Sequence, residues 1–163
     1  MNELVDRRLL GDACVEATER AAGLRRLPLD SNQVLDVEKI ANGTFSPLTG
    51  FSGSKDYRSV CEDMRLADGT PWSIPIILQV PSALAAEFSV GEEVHLWNDT
   101  EDRSSGLLTV EEIYEIDLTE QAEKVYGTTE RAHPGVDRMM QGGTTCVAGP
   151  VWLLTHSESL IPP

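Results

Sequence analysis

Thr44-Phe45-Ser46-Pro47-Leu48-Thr49-Gly50-Phe51 is the stretch on which the fold turns. Proline fixes φ, glycine permits backbone that other residues avoid, and a phenylalanine stands near each end. The mixture predicts an ordered loop pinned into a core at both ends. Upstream of it the pattern is helical. Val34 to Ala41 predicts a helix with Asp30 and Ser31 as caps and Asn42-Gly43 closing it. Asp12 to Ala22 predicts an earlier one, with Val15 on the face opposite its charged neighbours and Gly23 as the stop.

Downstream, Lys55 to Met64 predicts a third helix with Ser54 as its N-cap. Beyond it the character changes. Asp68-Gly69 signals a turn, and Ile74 to Val80 reads as a buried strand in which Pro75 demands an edge position or a strand start. Val94 to Trp97 and Leu107 to Ile116 read as further strands. Val110, Ile113 and Tyr114 do not alternate, which predicts a bulge between Glu111 and Glu112. Asp117 and Glu120 fit a capping box opening a short helix that stops at Gly127. Thr145 to Leu154 returns to strand character, interrupted by Gly149-Pro150. Helices first and mostly strands afterwards argue for an α+β fold with a small antiparallel sheet or barrel, not a doubly wound nucleotide fold.

The 163 residues match the size of one domain, and neither a repeat nor a dividing linker is evident. Met1 to Leu10 is charged and mixed, unlike a signal peptide, and no apolar run spans a bilayer. The chain therefore reads as a soluble, cytoplasmic protein. Twenty-seven acidic side chains face 13 basic ones, a formal net charge of −14. Nucleic acid and anionic membranes repel such a chain unless a basic patch overrides the mean. The compact basic pairs are Arg7-Arg8 and Arg25-Arg26, a thin basis for a phosphate-tracking groove. Cys14, Cys61 and Cys146 are odd in number and far apart, without a CxxC pair, and read as buried reduced thiols.

Motifs for chemistry are missing. There is no GxxxxGK[ST] loop, no GxGxxG turn and no GxSxG elbow; Gly142-Gly143-Thr144 reads as a turn before the last strand. The spacing of His95, His133 and His156 forms no compact ligand pair, so no metal site is expected. His95 alternates with Val94 and Leu96 and is expected at the surface or in a hydrogen bond. His133-Pro134-Gly135 holds a titratable ring in constrained backbone, either as a substrate contact or as a hydrogen bond that fixes the loop. Glu92-Glu93, Glu101-Asp102 and Glu111-Glu112 read as solvated faces.

Four ordered segments carry a resemblance. The first is Asp36-Val37-Glu38-Lys39-Ile40-Ala41-Asn42-Gly43 running into Phe45–Phe51. The second is Asp56-Tyr57, then Met64-Arg65-Leu66-Ala67-Asp68-Gly69 and Trp72-Ser73-Ile74-Pro75-Ile76. The third is Val125-Tyr126-Gly127-Thr128-Thr129-Glu130 with His133-Pro134-Gly135-Val136, and the fourth is Val147-Ala148-Gly149-Pro150-Val151-Trp152-Leu153. Together they resemble the N-terminal domain of ATP sulfurylase (sulfate adenylyltransferase) from about Leu4 to Leu154.

The resemblance implies a PUA-like fold, a small mixed β-barrel with helices packed on it, as a single domain over residues 1–163. In that family the domain precedes a Rossmann-like catalytic domain that makes adenosine 5′-phosphosulfate and pyrophosphate from Mg-ATP and sulfate. The family's Gln-x-Arg-Asn-Pro and His-x-x-His lie downstream of the resembling domain and are not in this sequence, which ends at Pro163. The expectation is therefore a chain with no catalytic, cofactor-binding or metal residue of its own, because charge transfer at a phosphoryl centre needs cationic groups directed at it. Phe45, Ser46, Pro47, Gly50, Phe51, His133, Pro134 and Gly135 are expected to form interface loops. They would position a catalytic domain or a second subunit (a homo-oligomer included) and would not bind ATP. Two other readings compete: a freestanding PUA-like module for RNA or a small ligand, and an independent enzyme. The former needs exposed aromatics in a basic patch, whereas Trp72, Trp97 and Trp152 have aliphatic neighbours that suit a core.

Overall fold

The computed structural model describes residues 4–154; His156 and Pro163 lie outside them. The chain begins β1 (Arg8–Leu9), α1 (Gly11–Ala21), β2 (Arg26–Leu29), α2 (Ser31–Ala41), β3 (Gly50–Phe51), α3 (Ser54–Asp63) and β4 (Gln79–Val80). It continues α4 (Ser82–Ala85), β5 (Glu93–Asn98), β6 (Arg103–Thr109), β7 (Glu112–Glu115), α5 (Leu118–Tyr126), α6 (Pro134–Gln141) and β8 (Thr145–Leu154). No helix among the described residues is long and apolar enough to cross a membrane. Two compact units interleave along the sequence. One takes Met1–Gly50, Gly91–Val110 and Gly149–Pro163, and the other takes Phe51–Val90 and Glu111–Ala148.

The first unit is a mixed sheet in the order β1-β8-β6-β5-β2. β1 runs parallel to the second half of β8 and β2 parallel to β5, while β6 is antiparallel to both of its neighbours. The α+β class and mixed pairing agree with expectation; closure into a barrel does not occur. The path ends at β1 and β2 without a pairing between them among the described residues. β2 carries Pro28, which has no N–H to offer a closing strand. Its Arg26-Leu27-Pro28-Leu29 alternates exposed and buried, so Leu27 and Leu29 enter the core with Val94, Leu96, Leu107 and Leu108. Burial of each such side chain stabilises the fold by roughly 1.5–3 kcal/mol.

Asp30 caps α2 as expected, with its side chain accepting from Gln33 N and the Gln33 side chain returning to the Asp30 backbone. On α1 the expected inward face is wrong. Val15 is 59% exposed, and Cys14, Ala17 and Ala21 pack against Leu107 and Leu154 instead. The periodicity of small residues sets that face, which a search for large apolar residues overlooks.

The second unit is helical around three short strands, β4 and β7 both antiparallel to the first half of β8. Four expectations change here and along β8. The buried strand over Ile74–Val80 shrinks to Gln79–Val80, with Ile74 44% exposed. The single strand over Leu107–Ile116 is two strands. Val110 N still bonds Glu92 O at 2.8 Å in the first unit, while Glu111 N bonds Ala148 O at 2.8 Å in the second, so the expected bulge is a change of sheet. Ser54 is not a cap: Gly53 holds that position, and the Glu112 carboxylate accepts from Ser54 N at 2.9 Å and from the Ser54 hydroxyl. Gly149-Pro150 does not interrupt β8.

Five elements escaped the sequence reading altogether: the short β1, β3 and α4, β2 at the second basic pair, and α6, which begins with Pro134 in the first turn where its missing N–H costs nothing. A satellite core of Ala122, Val136 and Met139, flanked by Leu118, Tyr126 and Met140, joins α5 to α6.

Candidate functional site

The loop of Phe45 to Gly50 belongs to the first unit and is tied to its own chain. The Ser46 hydroxyl donates to Gly43 O at 2.7 Å and accepts from Val5 N at 2.9 Å. Phe45 N bonds Lys39 O at 3.1 Å, and the Lys39 ammonium lies 5.7 Å from the Phe45 ring centre. The Ser46–Pro47 peptide is cis, Leu48 is buried, and Thr49 O accepts from Val151 N at 3.0 Å. At Gly50 a Cβ would stand 1.9 Å from Gly149 O, so only glycine permits this approach to β8. Phe51 belongs to the second unit and is 3% exposed. Pinning at both ends is what the sequence predicted.

His133, Pro134 and Gly135 lie in the second unit. His133 Nδ1 accepts from Gly135 N at 3.1 Å and Val136 N at 3.4 Å, which caps α6 and leaves the ring proton on Nε2. The ring packs 4.9 Å, centre to centre, from Tyr126. A Cβ on Gly135 would meet the Tyr126 Cε1 at 2.7 Å. Of the two readings of this histidine, the hydrogen bond that fixes the loop is realised. His95 is 5% exposed, which removes its surface reading and keeps the hydrogen bond: its Nε2 pairs with the Ser104 hydroxyl. Burial and the nearby Arg26 charge hold its pKa below the usual histidine value.

A cavity of about 190 Å³ in the second unit is lined by Tyr57, Arg58, Cys61 and Glu62 of α3, by Tyr114 through Asp117, by Ser54, and by Glu120, Gln121 and Lys124 of α5. The tyrosine rings stand 5.9 Å apart. Tyr57 donates to Gln121 Oε1 at 2.9 Å and Tyr114 to Ser52 O at 2.6 Å. Burial raises both phenols well above their ordinary range, pushes the Cys61 thiol up, and pushes Cys146 up to about 12. The two phenols and the two thiols, of which Cys146 lies outside the cavity lining, stay protonated and non-nucleophilic near neutrality. Lys124 lies 2.7 Å from Glu120 and 3.6 Å from Glu62, and the Glu120 hydrogen bond raises its pKa. Glu62, Glu115, Asp117 and Glu120 outnumber Arg58 and Lys124 in its lining. No sequence signal pairs a helical Tyr57 with Tyr114 on a strand; only their register on α3 and β7 does.

The basic pairs are engaged too. Arg8 pairs with Asp6 at 3.0 Å, Arg20 with Glu93 at 2.9 Å and Arg25 with Glu92 at 3.5 Å. Arg7 covers the Trp152 ring at 3.6 Å and Arg26 the Trp97 ring at 3.5 Å. Both tryptophans are half-buried under an arginine, so their faces are not open stacking platforms. Cys14, Cys61 and Cys146 are buried and form no disulfide among the described residues. Among the described residues no group of three or more His, Cys, Asp or Glu side chains could hold a metal ion.

A family profile described as "PUA-like domain" matches residues 1–156. The sulfate adenylyltransferase of Symbiobacterium thermophilum is 46% identical over 151 residues, which are 93% of this chain and 38% of that protein. That of Synechococcus sp. strain JA-3-3Ab is 43% identical over 151 residues, again 93% and 38%. That of Chloroflexus aurantiacus is 46% identical over 139 residues, 85% and 35%. The chain thus spans well under half the length of these relatives. Among solved structures, a hexameric APS kinase from Thiobacillus denitrificans superposes with a TM-score of 0.69 at 23% identity, covering 99% of this chain and 26% of that one. That likeness is one of fold.

Proposed function

This chain belongs to the PUA-like domain family, and on that premise we propose that it serves a sulfate adenylyltransferase as an accessory and assembly domain. The observation that carries the reading is the disparity in coverage: 46% identity over 93% of this chain, but only 38% of the Symbiobacterium thermophilum enzyme. The chemistry then resides in the remainder, with Mg-ATP and sulfate as its substrates, and this chain holds no cofactor. Charge supports the division. Adenylyl transfer to sulfate needs cationic and hydrogen-bonding groups aimed at the α-phosphate and the leaving pyrophosphate. The cavity here carries more carboxylates than cations, and the chain has a formal net charge of −14. Its partner is a catalytic domain or subunit, and the 45–51 and 133–135 loops are rigid enough to position one. We assign it to the cytoplasm, where buried thiols outside disulfides, such as Cys14, Cys61 and Cys146, stay reduced.

The test exchanges this chain for the matched segment of the full-length Symbiobacterium thermophilum enzyme and measures pyrophosphate release from ATP and sulfate. The exchanged protein is expected to turn over, and the purified 163-residue chain to form no adenosine 5′-phosphosulfate. Product made by the chain alone, or an exchanged protein without activity, would sink the proposal.

A further inference from the structure

Gln121, in the second unit, is buried with one end of its side chain unpaired. The residue is 5% exposed, and its Oε1 accepts from the Tyr57 hydroxyl at 2.9 Å. Its Nε2 amino group carries two N–H donors and has no protein partner among the described residues. Buried donors are nearly always met by an acceptor, because leaving one unmet costs stability. Gln121 is also a wall of the 190 Å³ cavity, which is the space its donors can reach. That space exceeds what a single water needs; a cavity of about 150 Å³ elsewhere takes up benzene.

The rest of the lining selects the class of molecule. The Tyr57 and Tyr114 rings, 5.9 Å apart, and Ile116 give it aromatic and apolar walls. Lys124 is held by Glu120 at 2.7 Å and shared with Glu62 at 3.6 Å. Glu115 and Asp117 have no cationic partner among the described residues: Glu115 accepts from the Thr145 hydroxyl at 2.7 Å and Asp117 from Glu120 N at 3.0 Å. No group of three or more His, Cys, Asp or Glu is placed to hold a metal ion among the described residues, so the carboxylates do not gather as metal ligands. Tyrosine faces beside unneutralised carboxylates suit an organic cation. We propose that this cavity binds a small single-ring organic ammonium whose ring carries a hydrogen-bond acceptor. The ring packs against Tyr57, Tyr114 and Ile116, the acceptor takes Gln121 Nε2, and the ammonium meets Glu115 and Asp117. The site goes beyond the accessory role and does not depend on it.

The test titrates the isotopically labelled 163-residue chain with 4-(aminomethyl)pyridine and follows the Gln121 side-chain amide by NMR. Three matched probes separate the contributions. Benzylamine keeps the charge and lacks the ring acceptor, 4-pyridylmethanol keeps the acceptor and lacks the charge, and isonicotinate reverses the charge. The amine is expected to shift the Gln121 amide with a Kd in about the millimolar range, as suits so small a molecule. Benzylamine should bind about fivefold more weakly, and 4-pyridylmethanol about tenfold more weakly. Glu115→Gln, which keeps an acceptor for Thr145, should weaken the amine about threefold and leave the alcohol unchanged. A Gln121 amide that no probe moves overturns the site. Equal binding of amine and alcohol, or an amine unaffected by Glu115→Gln, overturns the ammonium assignment. Benzylamine that binds as well as the pyridine removes Gln121 from recognition and overturns the proposal. Tighter binding of isonicotinate makes this a carboxylate site built on Arg58, and overturns it equally.

Discussion

Gly50→Ala isolates what holds the decisive loop in place. A Cβ at this position lies 1.9 Å from Gly149 O, 2.5 Å from Pro150 Cα and 2.6 Å from Gly149 C. All three are backbone atoms, so no rotamer relieves the clash, and the strand or the loop must move by more than about 1 Å. Overpacking of this kind costs about 1–3 kcal/mol. The shift also threatens the bond from Val151 N to Thr49 O at 3.0 Å, the adjacent tie between loop and strand, worth about 1 kcal/mol. The combined loss is about 2–4 kcal/mol, which for a chain of this size lowers Tm by roughly 4–16 °C. Gly91→Ala is the matched control in the same unit. It has φ +94° but open space around the new methyl, so it carries only backbone strain of roughly 1–2 kcal/mol. Thermal unfolding followed by circular dichroism at pH 7 decides between them. A Gly50→Ala protein that melts within about 2 °C of the parent, or above Gly91→Ala, refutes the packing argument.

Two further outcomes follow from the histidines. The native state depresses the His95 pKa, so the unfolded chain binds the proton first as pH falls. Stability from the neutral ring is complete above the ordinary value near 6.5 and declines below it, and the Tm measured between pH 7 and 5 should fall less steeply in His95→Gln. An unchanged slope would remove His95 from the account. His133→Ala should lose the α6 cap at about 1 kcal/mol, while His133→Asn, whose side chain also accepts at an N-cap, should retain most of it. In the exchanged full-length enzyme, turnover lost by His133→Ala with folding and assembly intact would contradict a role in positioning.

Much of the fold was legible because its signals are local. The Asp30 cap, the Gly127 stop, β5 and β8 each depend on residues within a turn or two of one another, and all were found. Long-range compensation hid the rest. Glu112 replaced the expected Ser54 cap from 58 positions away, and the Leu107–Ile116 run divided because its halves add to different sheets. The 45–51 and 133–135 loops were legible as constrained backbone, whereas the Tyr57–Tyr114 cavity was not legible at all.

By itself the sequence determined the acidic charge, the α+β class, the likeness to one family and the need for glycine and proline between Thr44 and Phe51. These follow from composition, period and backbone chemistry, which reside in neighbouring residues. The tertiary structure alone decided that His133 caps a helix, that Arg7 and Arg26 cover tryptophans, and that Met64 and Ile74 face solvent. Each of those outcomes depends on which distant atoms arrive within a few ångströms, and chain order does not encode that directly.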